Sequence, residues 1–270
     1  MTAPALLYEK RDGIAYITIN RPEVRNAINP EVVCRLADAW LDFAADDELR
    51  VAIITGAGDK AFCAGADLGK LIPLHSGARQ PEDEWDRRVL ADRSLGQVIL
   101  LRGFPLYKPV ISAINGFCLA GGTELVIATD IRVVAEHATL GLTEVTRALI
   151  PFGGSMARLP RQIPYCKAME IMLVGDHISA QEAHRIGLVN YVVPGNQVMP
   201  KVEAMARKIA ENGPVAVRKI KETVVRALSV SLEDGFAIEN ESARVVLATE
   251  DAKEGPRAFI EKRKPRYIGR

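Results

Sequence analysis

The sequence predicts an α/β fold of stacked strand-strand-helix units with a helical C-terminal region, and three observations carry that expectation. The short apolar run at 51–55 suits a strand covered on both faces of a sheet, and the β-branched run at 110–114, behind a proline, suits a buried strand. The succession of two strands and a helix recurs about three times without any self-similar period in the residues themselves. Beyond residue 196 the apolar residues keep helical spacing only. The expected division is a stacked ββα core over 1–195 and a helical oligomerisation region over 196–270.

Taken in order, 6–10 and 14–20 predict a hairpin around Arg11-Asp12-Gly13, with side chains alternating along the second strand. Asn29 is placed to cap a helix with Pro30 at its first position, and Val32, Val33, Leu36, Ala39, Trp40 and Phe43 then follow at helical spacing. After the strand at 51–55 comes the glycine- and alanine-rich segment Ala61-Phe62-Cys63-Ala64-Gly65-Ala66-Asp67-Leu68. Residues 71–80, with Pro73 and Gly77, predict a mobile loop, and 82–101 predicts one charged helix.

The strand at 110–114 enters a glycine turn, and 123–128 predicts the start of a mostly apolar helix. Such a turn offers free backbone N–H groups and the positive end of a helix dipole. Glu124 lies in that first turn, where an acid needs no special role because the dipole favours it. Strands follow at 131–135 and 138–142, then a loop ending in Pro151-Phe152-Gly153-Gly154-Ser155. Helix is expected again from 166, with a capping box from Ser179 to Glu182 and a stop at Gly187, then a last strand at 188–193. A helix at 197–212 stops at Gly213-Pro214, where further amphipathic helices begin and run to about residue 264.

Composition bounds the function. Lys and Arg number 35 against 34 Asp and Glu, so the charge of a dedicated nucleic-acid binder is missing. The first residues carry no basic segment backed by an apolar one, and no uninterrupted apolar run reaches ~18 residues. The expectation is a protein of the cytoplasm that does not use a membrane. Cys34, Cys63, Cys118 and Cys166 lack ligand or disulfide spacing and are expected to be reduced and buried. His75, His137, His177 and His184 likewise show no ligand pattern, and no metal is expected. Trp85 is expected to pack rather than to line a pocket.

Arg-Pro-Glu-Val-Arg-Asn-Ala-Ile at 21–28, the segments at 61–68 and 115–124, Thr143-Glu144 and the loop at 151–155 together resemble the enoyl-CoA hydratase/isomerase (crotonase) superfamily. The likeness continues through 178–189 and the tail at 254–265. It implies a ClpP/crotonase-like spiral of ββα turns with a helical trimerisation region, assembled as a homotrimer or a dimer of trimers. It also implies an acyl-CoA substrate, CoA being part of that substrate, and no separate cofactor. By similarity, the N–H groups of Ala66 and Gly121 form an oxyanion hole, Glu144 gives a proton to C2, and Glu124 orients and activates water. Arg25, Ala27, Ala64, Asp67 and Leu68 stand where the family meets CoA, Arg25 being the candidate for its phosphates.

The chemistry needs such groups. Hydrating a 2-enoyl thioester pushes electrons onto its oxygen, which requires preorganised donors, while two carboxylates can divide the proton work if their surroundings separate their protonation states. Hydration of a 2-enoyl-CoA is the leading expectation. Another reaction through the same oxyanion hole and a non-catalytic CoA-binding homologue remain open. One departure stands out: hydratases often carry three successive glycines where this chain has Ala120-Gly121-Gly122.

Overall fold

The computed structural model describes residues 3–270. Its strands are β1 (Leu6–Arg11), β2 (Ile14–Ile19), β3 (Val51–Gly56), β4 (Ala61–Cys63), β5 (Val110–Ile114), β6 (Phe117–Leu119), β7 (Ile131–Ala135), β8 (Thr139–Gly141), β9 (Ile178–Ser179) and β10 (Tyr191–Val193). Six form one sheet in the order β1-β2-β3-β5-β7-β10, and four form a second in the order β4-β6-β8-β9. Only β1/β2 and β8/β9 pair antiparallel; the rest are parallel. In three successive turns β3 leads to β4, β5 to β6, and β7 to β8. Each turn thus lays one strand in each sheet, which is the expected ββα stacking.

The helices are α1 (Pro30–Ala45), α2 (Leu71–Ser76), α3 (Glu84–Ala91), α4 (Leu95–Val98), α5 (Gly121–Ile127), α6 (Ser155–Gln162), α7 (Tyr165–Val174), α8 (Ala180–Arg185), α9 (Val198–Ala210), α10 (Pro214–Ala227), α11 (Leu232–Leu247) and α12 (Glu250–Ile260). Asn29 caps α1 by accepting the Val32 N–H, and Pro30 occupies the first helical position, where no intrahelical donor is lost. The inner face of α1 buries Val32, Val33, Leu36, Trp40 and Phe43. Each such side chain contributes about 1.5–3 kcal/mol. The Trp40 indole N–H also donates to the Ile99 carbonyl at 3.2 Å, tying α1 to the segment after α4.

Several expectations are corrected. Residues 71–76 are helix rather than loop, since Pro73 falls in the first turn, where a proline costs no intrahelical bond. The single helix expected over 82–101 is broken at Asp92, whose carboxylate accepts the Ser94 N–H and hydroxyl and restarts the chain as α4. Helix α6 and the three-residue strands β4 and β6 were not legible as elements. Cys34, Cys63 and Cys118 are buried as expected, but Cys166 is exposed. Helix α9 lies on the large sheet and buries Val198, Val202 and Ala206. Helix α10 follows from Pro214 and packs chiefly on α11. No helix among the described residues is long and apolar enough to cross a membrane.

Candidate active site

The site is built where two turns of the spiral meet. After β4 the chain bends through Gly65 at φ 93°, and after β6 it bends through Ala120 into α5. Gly65 is required by close approach as well as by its φ. A Cβ there would lie 2.8 Å from the Ala120 Cβ and 3.1 Å from the Gly121 nitrogen. The loop at 21–28 holds the first bend in place. The Ile28 N–H donates to the Gly65 carbonyl at 2.8 Å, and the Asp67 N–H returns a bond to the Ile28 carbonyl at 2.9 Å. The Gly65 N–H in turn donates to the Cys63 sulfur at 3.3 Å.

This leaves two amide donors side by side. The N–H groups of Ala66 and Gly121 have no hydrogen-bond acceptor among the described residues, and both residues line one cavity of about 1040 Å³. A Cβ built on Gly121 would stand 3.6 Å from the Ala66 nitrogen. Gly121 is the first residue of α5, so its N–H belongs to the unpaired first turn and adds the helix dipole to the donor pair.

Both glutamates line the same cavity. Glu124, one turn into α5, is buried, and its Oε1 accepts the Gly153 N–H at 2.7 Å and the Ser155 hydroxyl at 3.0 Å. Burial raises its pKa, while these two donors and the Arg158 guanidinium oppose the rise. A Cβ on Gly153 would press on the Leu100 side chain and stand 2.6 Å from the Glu124 Oε2, so a side chain there would displace the carboxylate that this N–H holds. Glu144 opens the short 3-10 turn Glu144–Arg147 after β8. Its Oε2 is buried without a partner, and burial, with the charge of Glu124 adding to it, pushes its pKa up to about 7. The environments thus separate two carboxyl groups: one tied down by donors, the other free and poised at neutrality.

The residues expected to meet CoA divide. Arg25, Ala64 and Leu68 line the cavity. The Arg25 guanidinium lies 5.3 Å from the Phe117 ring centroid and makes no ion pair among the described residues. Ala27 and Asp67 do not reach the cavity wall. Asp67 forms a 2.8 Å ion pair with Arg21, whose Nη1 also donates to the Ala27 carbonyl at 2.6 Å. Their side of the motif is a clamp that fixes the bend carrying Ala66. Buried Asn26 completes it, donating to the Ala57 and Ala61 carbonyls.

Arg21, Asn26, Gly153 and Ser155 lie within the family-like segments, but their roles are not legible in the sequence. Gly153 and Ser155 act on a carboxylate about thirty positions earlier, a relation set only by the fold. Trp85 is off the cavity, beneath the Arg35 guanidinium at 4.9 Å.

Ala120 is strained: it holds φ 49° and ψ −123°, a region that glycine populates without cost. Ala120→Gly relieves about 1–3 kcal/mol of strain and adds about 0.5–1 kcal/mol of unfolded-state entropy. The variant is expected to be more stable by about 1 kcal/mol, read as a rise in its urea midpoint.

Residues 9–270 match the enoyl-CoA hydratase/isomerase family. The chain is 39% identical to an enoyl-CoA hydratase of Mycobacterium tuberculosis, with 100% of this chain and 98% of the relative aligned. It is 38% identical to an (E)-benzylidenesuccinyl-CoA hydratase of Thauera aromatica over 97% of this chain and 98% of that one. Its fold superposes on the crystal structure of an enoyl-CoA hydratase from Bacillus anthracis with a TM-score of 0.87 at 39% identity, covering 98% and 100% of the two chains. The stacked ββα turns, the paired amide donors and the two carboxylates on one cavity thus accompany likeness along the whole chain, which belongs to the enoyl-CoA hydratase/isomerase family of the crotonase superfamily.

Proposed function

We propose that the protein hydrates a 2-enoyl-CoA thioester reversibly to the 3-hydroxyacyl-CoA. The observation that carries this reading is the pair of unlike carboxylates beside two unpaired amide donors. The thioester oxygen is held by the N–H groups of Ala66 and Gly121. Glu124, fixed by Gly153 and Ser155, orients a water and takes its proton as the water oxygen bonds to C3. The π electrons move toward C2 and the thioester oxygen, where the two donors stabilise the developing charge. Glu144, whose raised pKa of about 7 keeps a large share of it protonated near neutrality, then delivers its proton to C2. The two acids end with exchanged protonation states and return to the start through solvent. Arg25, free of an ion pair, would meet a CoA phosphate at the cavity mouth.

The test is loss of enoyl-thioester conjugation, followed by absorbance, with a short panel of 2-enoyl-CoA substrates. Loss with at least one is expected. No loss with any would favour another acyl-CoA reaction through the same donors.

The assembly is proposed to be a trimer or a dimer of trimers. Ile220 and Val224 on α10 and Leu228 at its C-cap form an exposed stripe at four-residue spacing, and Leu232, Phe236 and Leu247 expose further apolar surface on α11. Light scattering in solution is expected to give three or six subunits, and a monomer would contradict this.

A further inference from the structure

Three groups of the site are carried by two neighbouring pieces of backbone. Gly121, which offers a donor, and Glu124 belong to the first turn of α5, whereas Glu144 comes three residues after the end of β8. Their relative placement decides whether the developing charge, the water and the proton meet at the right atoms. The two acids are held differently. The carboxylate of Glu124 is itself fixed, by the Gly153 N–H and the Ser155 hydroxyl. The Glu144 Oε2 is buried without a partner, so that carboxyl takes its place chiefly from the backbone that carries it.

One side chain ties the two pieces together. Thr123 lies between the donor Gly121 and the base Glu124 in sequence, and it is buried. Its Oγ1 stands 2.6 Å from the Cys118 carbonyl oxygen of β6 and 2.9 Å from the Gly141 carbonyl oxygen of β8, either of which can accept its proton. The same oxygen accepts the Gly141 N–H at 3.2 Å. A single hydroxyl therefore reaches both polar groups of the last residue of β8, the strand that leads to Glu144. The backbone beside it adds a parallel link, from the Ala120 N–H to the Gly141 carbonyl at 2.8 Å. Thr123 stands behind the cavity wall rather than on it, so it acts on substrate only through the residues it holds.

We infer that Thr123 is a positioning residue, whose hydroxyl sets the place of the acid that follows β8 relative to the donor and the base on α5. The inference rests on the hydratase reading for its reaction and on the Thr123 hydrogen bonds for its geometry. Valine has nearly the shape of threonine and no hydroxyl, and serine has the hydroxyl without the methyl. The two replacements therefore separate the bonds from the packing.

The native protein, Thr123→Val and Thr123→Ser are compared well below the Tm of each, so that only folded protein is assayed. Three quantities are read: kcat for hydration of 2-butenoyl-CoA, deuterium exchange at C2 of butanoyl-CoA, and the calorimetric Kd of butanoyl-CoA. Thr123→Val is expected to lower kcat and the exchange rate by about 10–100-fold, the cost of a small misplacement of reacting groups, with Kd close to native. Thr123→Ser is expected to keep both rates near native. Native kcat and exchange in Thr123→Val overturn the inference, and so does a loss confined to Kd and KM. A Thr123→Ser protein as slow as Thr123→Val overturns it too, because the methyl would then carry the effect. Should Thr123→Val not fold, Thr123→Cys takes its place: the weaker hydrogen bonds of a thiol predict a smaller loss of both rates, and native rates again overturn the inference. If the native protein hydrates no 2-enoyl thioester, yet C2 exchange is lost in Thr123→Val and kept in Thr123→Ser, the inference stands and the hydratase reading falls.

Discussion

Glu144→Gln lowers the rate of hydration by about 10²–10⁴, the usual contribution of a positioned general acid, and changes the pH profile. Burial places the native carboxyl at about 7, so its protonated form is lost as pH rises through that value. The native hydration rate is accordingly expected to fall on the alkaline side of about 7. The residual rate of Glu144→Gln should lack that limb. The substitution changes stability in the opposite sense to rate. The folded pKa lies above the ordinary 4.5, so the native protein loses stability relative to its unfolded chain as pH rises through about 7. Glutamine has no charge to bury, and the variant is expected to show a higher Tm than the native protein at pH above this range, measured by thermal unfolding. A slower yet more stable variant is what a strained functional group predicts, and a group that merely packs would predict the reverse.

Gly121→Pro removes one of the two amide donors and is expected to cost about 10²–10³ in kcat. Gly121 is the first residue of α5, where the N–H has no intrahelical partner and the fixed φ of proline is helical, but the ring also crowds Ala120 before it, which already holds φ 49° and ψ −123°, so the fold of the variant has to be checked. Circular dichroism checks that the helix survives, and calorimetry with a saturated acyl-CoA checks that the thioester still binds. A folded, binding-competent variant with native kcat would remove Gly121 from the reaction.

The fold was legible where local pattern and tertiary role agree. The runs that became β3 and β5 are mostly apolar because both faces of the sheet are covered, and Asn29-Pro30 signals a helix start by itself. Strands β4 and β6 are three residues long and show no period, so only their neighbours make them strands. The segment at 71–101 misled because Pro73 reads as a breaker yet sits where a helix tolerates it. In the site, Ala66, Gly121, Glu124 and Glu144 were found through the family's motifs, and the structure places all four on one cavity. Their supports escaped, because the Gly153 and Ser155 bonds to Glu124 and the Arg21 bond to Asp67 span 29, 31 and 46 positions. Spacing in a sequence carries no trace of such pairs.

The division of labour between the two glutamates is tested most directly by hydrogen exchange at C2 of a saturated acyl-CoA in deuterated water. Under the proposed roles, that exchange needs Glu144 and the oxyanion donors but not a water held by Glu124. The account predicts that Glu124→Gln retains exchange while losing hydration, and that Glu144→Gln loses both. Equal loss of exchange in the two variants would contradict it, even if both residues prove essential to hydration.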